Sequence, residues 1–151
     1  MIKIDFTKYK NSLKIQQKEG KPYIFDPIRK KYLVLTPEEF VRQLFVLYLI
    51  EERDFNKNRI AIEKLIIVNE LRKRGDIIIY NKAMQPFLLV ECKAASVPID
   101  EKTFKQIAWY NMPLKVEYLV VTNGLSTYCC SMDYENDSYK FLNKIPKFKK
   151  I

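Results

Sequence analysis

Asp76, Glu91 and Lys93 are the residues of this sequence whose types and spacing could do chemistry together. They lie in the stretch from Arg74 to Ala95, RGDIIIYNKAMQPFLLVECKAA. Within it, GDIIIY and PFLLVE are rich in β-branched and aromatic residues and are separated by the polar segment Asn81 to Gln85, a pattern that predicts two antiparallel strands. If Tyr80 faces Phe87, paired residue numbers sum to a constant. Asp76 then falls opposite Glu91, and Lys93 lies two residues further along the same face. Opposed residues have Cβ atoms roughly 5 Å apart, and like charges placed so are destabilising. A divalent cation resolves that conflict, because Mg²⁺ is typically held by one or two carboxylates and fills its other positions with water and phosphate oxygens. Lys93 would add a positive charge where a phosphate or an attacking water could bind. The competing reading is a solvated sheet face with a surface ion pair. Against it, Ile77, Ile78, Ile79, Leu88, Leu89 and Val90 are apolar on both faces of both strands, as in the buried centre of a sheet. The residues alone leave both readings open.

The elements around this hairpin follow from periodicity and punctuation. TPEEF is a helix start, with Thr36 as N-cap, Pro37 at the first helical position and Glu39 at the capping-box position. The predicted helix runs from Pro37 to Glu51, with an apolar stripe of Phe40, Val41, Leu44, Leu47 and Tyr48, and with Arg42 and Gln43 off its centre. Capping explains Glu39, yet a helix end beside the hairpin could offer the same carboxylate to a metal. RIAIEKLIIVNE reads as a strand containing Glu63, and Leu71 to Gly75 lead into the hairpin. AASVPID is a loop, and Asp100 caps a second helix, EKTFKQIAWYN. On that helix Gln106 and Tyr110 share one face, while Phe104, Ile107 and Ala108 form the buried stripe. VEYLVVTN ends in the turn signal Asn123-Gly124, STYCCSMDY alternates, and SYKFL pairs with it. Before Thr36, PYIF and KYLVL are strands joined across Asp26-Pro27-Ile28-Arg29. The fold class is therefore α/β (α+β): a mixed central sheet flanked by helices, in one domain spanning residues 1–151. Residues 1–35 form an N-terminal β extension, 36–125 the core, and 126–151 the last strands and a basic tail.

Composition narrows the function. Lys and Arg number 27 against 18 acids, a formal charge of +9, which favours an anionic partner such as nucleic acid or a membrane surface. No segment looks like a basic amphipathic anchor helix, so nucleic acid is the better reading. Arg72, Lys73 and Arg74, next to the hairpin, and Arg42 on the first helix are the candidates for DNA contact, whereas the lysines from 147 to 150 are readily explained as solubilising. No apolar run is long enough to span a bilayer, and MIKIDFTKYK lacks the apolar core of a signal peptide, so no membrane contact and a cytoplasmic location are expected. The chain has three Cys and no His. This excludes Ser-His-Asp, Cys-His and His-based metal chemistry, and the cysteine spacing suits neither zinc nor a disulfide framework. Any catalysis must run on carboxylates, lysine and metal.

Four of these motifs, in this order, resemble the PD-(D/E)XK nucleases, and within them the N-terminal nuclease domain of type I restriction enzyme R (HsdR) subunits. TPEEFVRQ is similar to that family's first-helix motif, RGDIIIY with PFLLVECKA to its Asp and Glu-x-Lys core, QIAWY to the Gln-x-x-x-Tyr motif, and YLVVTNG to the following strand. The resemblance covers most of the chain. It implies a restriction-endonuclease-like αβββαβ core, in which Asp76 and Glu91 bind Mg²⁺ or Mn²⁺ and Lys93 positions or activates the attacking water. Glu39 would be an additional acidic metal-site residue, and Gln106 with Tyr110 would support the site and the DNA backbone. The expected function is a metal-dependent DNA endonuclease of restriction type. The alternatives are a non-catalytic DNA-binding or assembly module on the same fold, or a nuclease acting on single-stranded DNA or RNA. Partners implied are DNA, a second copy for double-strand cutting by one site per chain, and a motor or specificity subunit in trans. No Walker-type motif occurs before Ile151, so translocation in cis is not expected.

Overall fold

The computed structural model describes residues 1–68 and 71–148, with the backbone alone at residues 64–68 and 71–75. Three short antiparallel strands come first, β1 (Ile15–Lys18), β2 (Lys21–Asp26) and β3 (Lys31–Val34). The expected pair PYIF and KYLVL are β2 and β3. β1 is an addition to the expected elements, because IQQK has no apolar alternation and all four of its residues are exposed. The turn after β2 is fixed by Asp26, whose Oδ1 accepts from the backbone N–H groups of Ile28 (2.7 Å) and Arg29 (3.1 Å). An aspartate that bonds its own turn two residues on is a common reason for that residue there.

Helix α1 spans Pro37–Glu51, as the spacing predicts. Thr36 accepts from the Glu39 N–H at 3.0 Å, and Pro37 occupies the first turn, where its missing donor costs nothing. The expected one-sided apolar stripe is too narrow, however. Phe45, Val46 and Leu49 are also buried, as are Arg42 and Gln43. For the apolar residues the reason lies in the N-terminal segment, where a 3-10 turn at Thr7–Ser12 lays Phe6 and Tyr9 against the helix. The Phe6 ring sits 6.0 Å from both Phe45 and Tyr48, so α1 is covered on its outer side as well.

The central sheet has the order β4 (Ile60–Val68), β5 (Leu71–Tyr80), β6 (Pro86–Cys92), β7 (Tyr118–Thr122), β8 (Thr127–Asp133) and β9 (Ser138–Phe141). β6 and β7 run parallel and every other neighbouring pair is antiparallel, which makes the sheet mixed. The parallel pair requires a crossover. Helix α2 (Glu101–Asn111), capped by Asp100 through the Thr103 N–H at 2.8 Å, supplies it. Alternation divides the buried residues between two layers. Ile77, Ile79, Leu88 and Val90 pack with α1, and Ile78 and Leu89 pack with Phe104 and Ala108 of α2. A sheet covered on both faces by helices accounts for strands that read as unbroken apolar runs.

Two register details differ from expectation. Tyr80 pairs with Pro86 instead of Phe87, because the ladder shifts between Ile79 and Tyr80. Phe87 is left as the extra residue beside a proline that has no N–H to donate. Beyond that irregularity Ile79↔Leu88, Ile78↔Leu89 and Ile77↔Val90 keep the constant that a Tyr80–Phe87 pairing implies, so the inner register survives a wrong anchor. The second difference is that β5 starts at Leu71, and residues 71–75 are strand paired along β4, not a lead-in.

Candidate active site

Asp76 and Glu91 lie where β5 and β6 part, one residue beyond the Ile77↔Val90 pair. The Asp76 carboxylate enters the gap. Its Oδ2 accepts from the backbone N–H of Cys92 at 2.7 Å, so a side chain takes a place that a strand carbonyl would occupy in a continued ladder. Glu91 follows Leu89 on the α2 side of β6 and is largely buried, with 24% of its side chain exposed. Burial pushes its carboxyl above the ordinary range. The nearby Asp76 charge pushes the same way, and Lys93 pulls it back. Lys93 Nζ stands 3.6 Å from Glu91 Oε1 and its side chain is 37% exposed, so the amine is partly open to solvent. The Lys93 N–H bonds Thr122 O on β7 at 2.8 Å, which fixes the backbone from which that amine projects.

Sequence reasoning missed the charges that surround this pair. Arg42 is 4% exposed and lies among four carboxylates. Its Nη2 is 3.1 Å from Glu38 Oε1, 3.2 Å from Asp76 Oδ1 and 3.3 Å from Glu63 Oε1, and its Nη1 bonds Glu39 Oε2. Arg29, from the turn after β2, bonds Asp26 and the other oxygen of Glu39, and reaches Glu63 Oε2 at 3.2 Å. Glu63 has a φ of +49°. It interrupts the β4–β5 ladder between Ile62↔Ile77 and Lys64↔Gly75, opposite Asp76. Left-handed backbone at a glutamate is costly and held only when the surroundings over-determine it. Here two arginines hold the carboxylate.

The other expected site residues are placed as follows. Glu39 caps with its N–H, its two carboxylate oxygens bond Arg29 and Arg42, and among the described residues Arg42 links it to Asp76. Arg42 is buried among acids, which removes it from the surface expected to meet DNA. The helical wheel shows Glu38 and Glu39 one turn away but gives no sign of this burial, because Glu63 and Asp76 come from β4 and β5, remote in sequence. Gln106 and Tyr110 share the exposed face of α2, as their spacing requires, with Tyr110 63% exposed. Arg72, Lys73 and Arg74 are strand residues of β5 paired with Ile67, Ile66 and Leu65. Their side chains lie outside the described residues.

Whether this site suits a divalent cation can be tested on its charges. Among the described residues, Asp26, Glu38, Glu39, Glu63, Asp76 and Glu91 share the three cations Arg29, Arg42 and Lys93, leaving formal negative charge in excess. No group of three or more Asp, Glu or Cys side chains among the described residues is arranged to cage a metal ion. The pair Asp76 and Glu91 offers hard oxygen donors and a destabilised carboxylate. That donor set suits a cation held by two carboxylates with its remaining positions open to water and phosphate.

A mixed α/β chain with an acid pair and a lysine at the parting of two central strands is the class that these observations define. Residues 37–146 match the family described as the type I restriction enzyme R protein N terminus, and the chain belongs to that family. Among solved structures, it is similar to a fragment assigned as an HsdR subunit of a type I restriction enzyme from Vibrio vulnificus, at 19% identity and a TM-score of 0.49. That similarity covers 75% of this chain and 24% of the other, so this chain spans about a quarter of the length it matches. No protein of curated function matches it in sequence. No helix among the described residues is long and apolar enough to cross a membrane.

Proposed function

We propose that this protein is the nuclease domain of a restriction system, a PD-(D/E)XK enzyme that hydrolyses DNA phosphodiester bonds with Mg²⁺ or Mn²⁺. The observation that carries the reading is the convergence of Asp76, Glu91 and Lys93 at the parting of β5 and β6, with Glu91 destabilised as a carboxylate by its burial and by Asp76. Family membership supports it. Asp76 Oδ1 and the Glu91 carboxylate would hold the ion, while Asp76 Oδ2 stays on the Cys92 N–H and fixes the side chain. The bound ion supplies a polarised phosphate and a water of lowered pKa. Lys93 would stand beside the reacting phosphate, where its charge would stabilise the developing negative oxygen and orient the attacking water. The excess of basic residues holds the DNA backbone without reading sequence. Gln106 and Tyr110 would steady the backbone from α2, and a second copy or a motor and specificity subunit would complete double-strand cleavage.

The experiment is incubation of the pure protein with plasmid, linear duplex and single-stranded DNA, with Mg²⁺, with Mn²⁺ and with EDTA. Metal-dependent nicking that EDTA abolishes is expected. DNA binding without cleavage under every metal condition would favour a non-catalytic module instead, and cleavage confined to single strands or RNA would change the substrate.

A further inference from the structure

Arg42 is the most heavily engaged cation among the described residues, and its bonds are unevenly shared. Nη2 faces carboxylate oxygens of Glu38, Glu63 and Asp76 from three different elements, within 3.1–3.3 Å. One guanidinium nitrogen carries two N–H groups, so three acceptors compete for two donors. At the other end Arg42 Nε is buried with no hydrogen-bond partner. A buried donor left unmade is expensive. The guanidinium is therefore drawn toward the acids at the cost of its own satisfaction, and Asp76 Oδ1 is the oxygen it shares with the acid pair.

We propose that Arg42 is a positioning residue, an internal counter-ion that orients Asp76 in the metal-free protein and competes with the divalent cation for Asp76 Oδ1. This rests on the metal-dependent nuclease reading. The guanidinium holds Glu39, Glu63 and Asp76 together across α1, β4 and β5 and supplies positive charge where a cation would. An ion held at Asp76 Oδ1 would take that oxygen from Arg42, which would keep Glu38, Glu39 and Glu63. Arg29 keeps Glu39 and Glu63 in place from the N-terminal sheet, so the acids do not disperse when Arg42 yields.

The test is Arg42→Gln and Arg42→Lys, each measured by metal-free thermal melting in EDTA and by Mn²⁺ titration calorimetry, without reference to cleavage. If Arg42 competes with the ion, Arg42→Gln lowers the metal-free Tm yet binds Mn²⁺ about tenfold more tightly, because a coupled positive charge has been removed. Arg42→Lys, which keeps one charge and loses the second arm, melts nearer to wild type and tightens binding by a smaller factor. It also serves as the readout if the glutamine variant does not fold. A residue that merely braced the fold would give weaker or unchanged Mn²⁺ affinity in both variants, and that result overturns the inference. Wild-type protein that binds no Mn²⁺ would instead remove the metal site itself, a failure of the underlying reading that the same titration distinguishes.

Discussion

Glu91→Gln should stabilise the metal-free protein, whereas Asp76→Asn should destabilise it, although both remove one negative charge from the same pair. From sequence the two acids look equivalent, each relieving repulsion when neutralised. Their surroundings separate them. Glu91 is held above its ordinary titration range by burial and by Asp76, so its charged form is less favourable in the fold than in the unfolded chain. Relief of a like-charge cross-strand pair is worth about 0.2–1 kcal/mol. The substitution also removes the ion pair with Lys93, but at 3.6 Å and with a partly exposed amine that pair offsets little of the gain. Asp76 instead accepts from the Cys92 N–H at 2.7 Å and from buried Arg42 at 3.2 Å. An amide cannot serve both as an anion does, and weakening charge-assisted bonds to buried donors costs about 1–3 kcal/mol.

The pH dependence carries the same sign. A raised carboxyl means that the folded state binds its proton more readily than the unfolded chain does. Wild type is therefore most relieved below the ordinary glutamate value of 4.5, and loses that relief as pH rises through the higher folded value. Glu91→Gln removes the group that titrates, so its advantage over wild type is expected at neutral pH and vanishes in acid. Urea melts of wild type and both variants in EDTA, from acid to neutral pH, measure this. A glutamine variant less stable than wild type at neutral pH would refute the argument, because Glu91 would then be a satisfied partner of Lys93 and no strained ligand.

Lys93→Ala leaves both acids in place, so it should retain Mn²⁺ and DNA binding while losing most of its cleavage rate in a plasmid-nicking assay, the pattern of a group that acts at the transition state. DNA affinity should fall steeply with salt, with a logarithmic slope of about −0.9 for each duplex phosphate neutralised. Replacing Lys73 and Arg74 should reduce that slope more than replacing Lys149 and Lys150, as fluorescence anisotropy across a salt series would register. Cys92, Cys129 and Cys130 are all buried, with thiols pushed upward by burial, Cys130 to about 12. At neutral pH a thiol reagent should label none of them until denaturant is added.

The inner register of β5 and β6 is legible in the sequence because the apolar triplets 77–79 and 88–90 are equal in length, so a slip would set an apolar residue against Asp76 or Glu91. The shift at Phe87 is not, since it depends on how a proline ends the ladder. Helix boundaries are written in Thr36, Pro37 and Asp100, whose side chains and ring act within one turn. Burial around α1 is hidden. It depends on Phe6 and Tyr9, which lie well before the helix in the chain and carry no periodic signal.

The same distinction explains why Arg42 and Glu63 escape a reading of the sequence. A wheel ranks residues by the company they keep on one helix, and by that measure an arginine beside an apolar stripe is a surface cation. Buried charge cannot be read one residue at a time, because a lone buried cation is prohibitive and one ringed by carboxylates is not. Glu63 is within reach of arithmetic. With β5 carried back to Leu71, the pairing that joins Ile62 to Ile77 puts Glu63 opposite Asp76, and two facing acids demand a cation. That cation is an arginine on α1, supplied from within the fold. The apolar pattern thus locates the hairpin and its acids, while the partners of those acids come from α1 and from the turn after β2, segments that sequence assigns to capping and to a simple reversal of the chain.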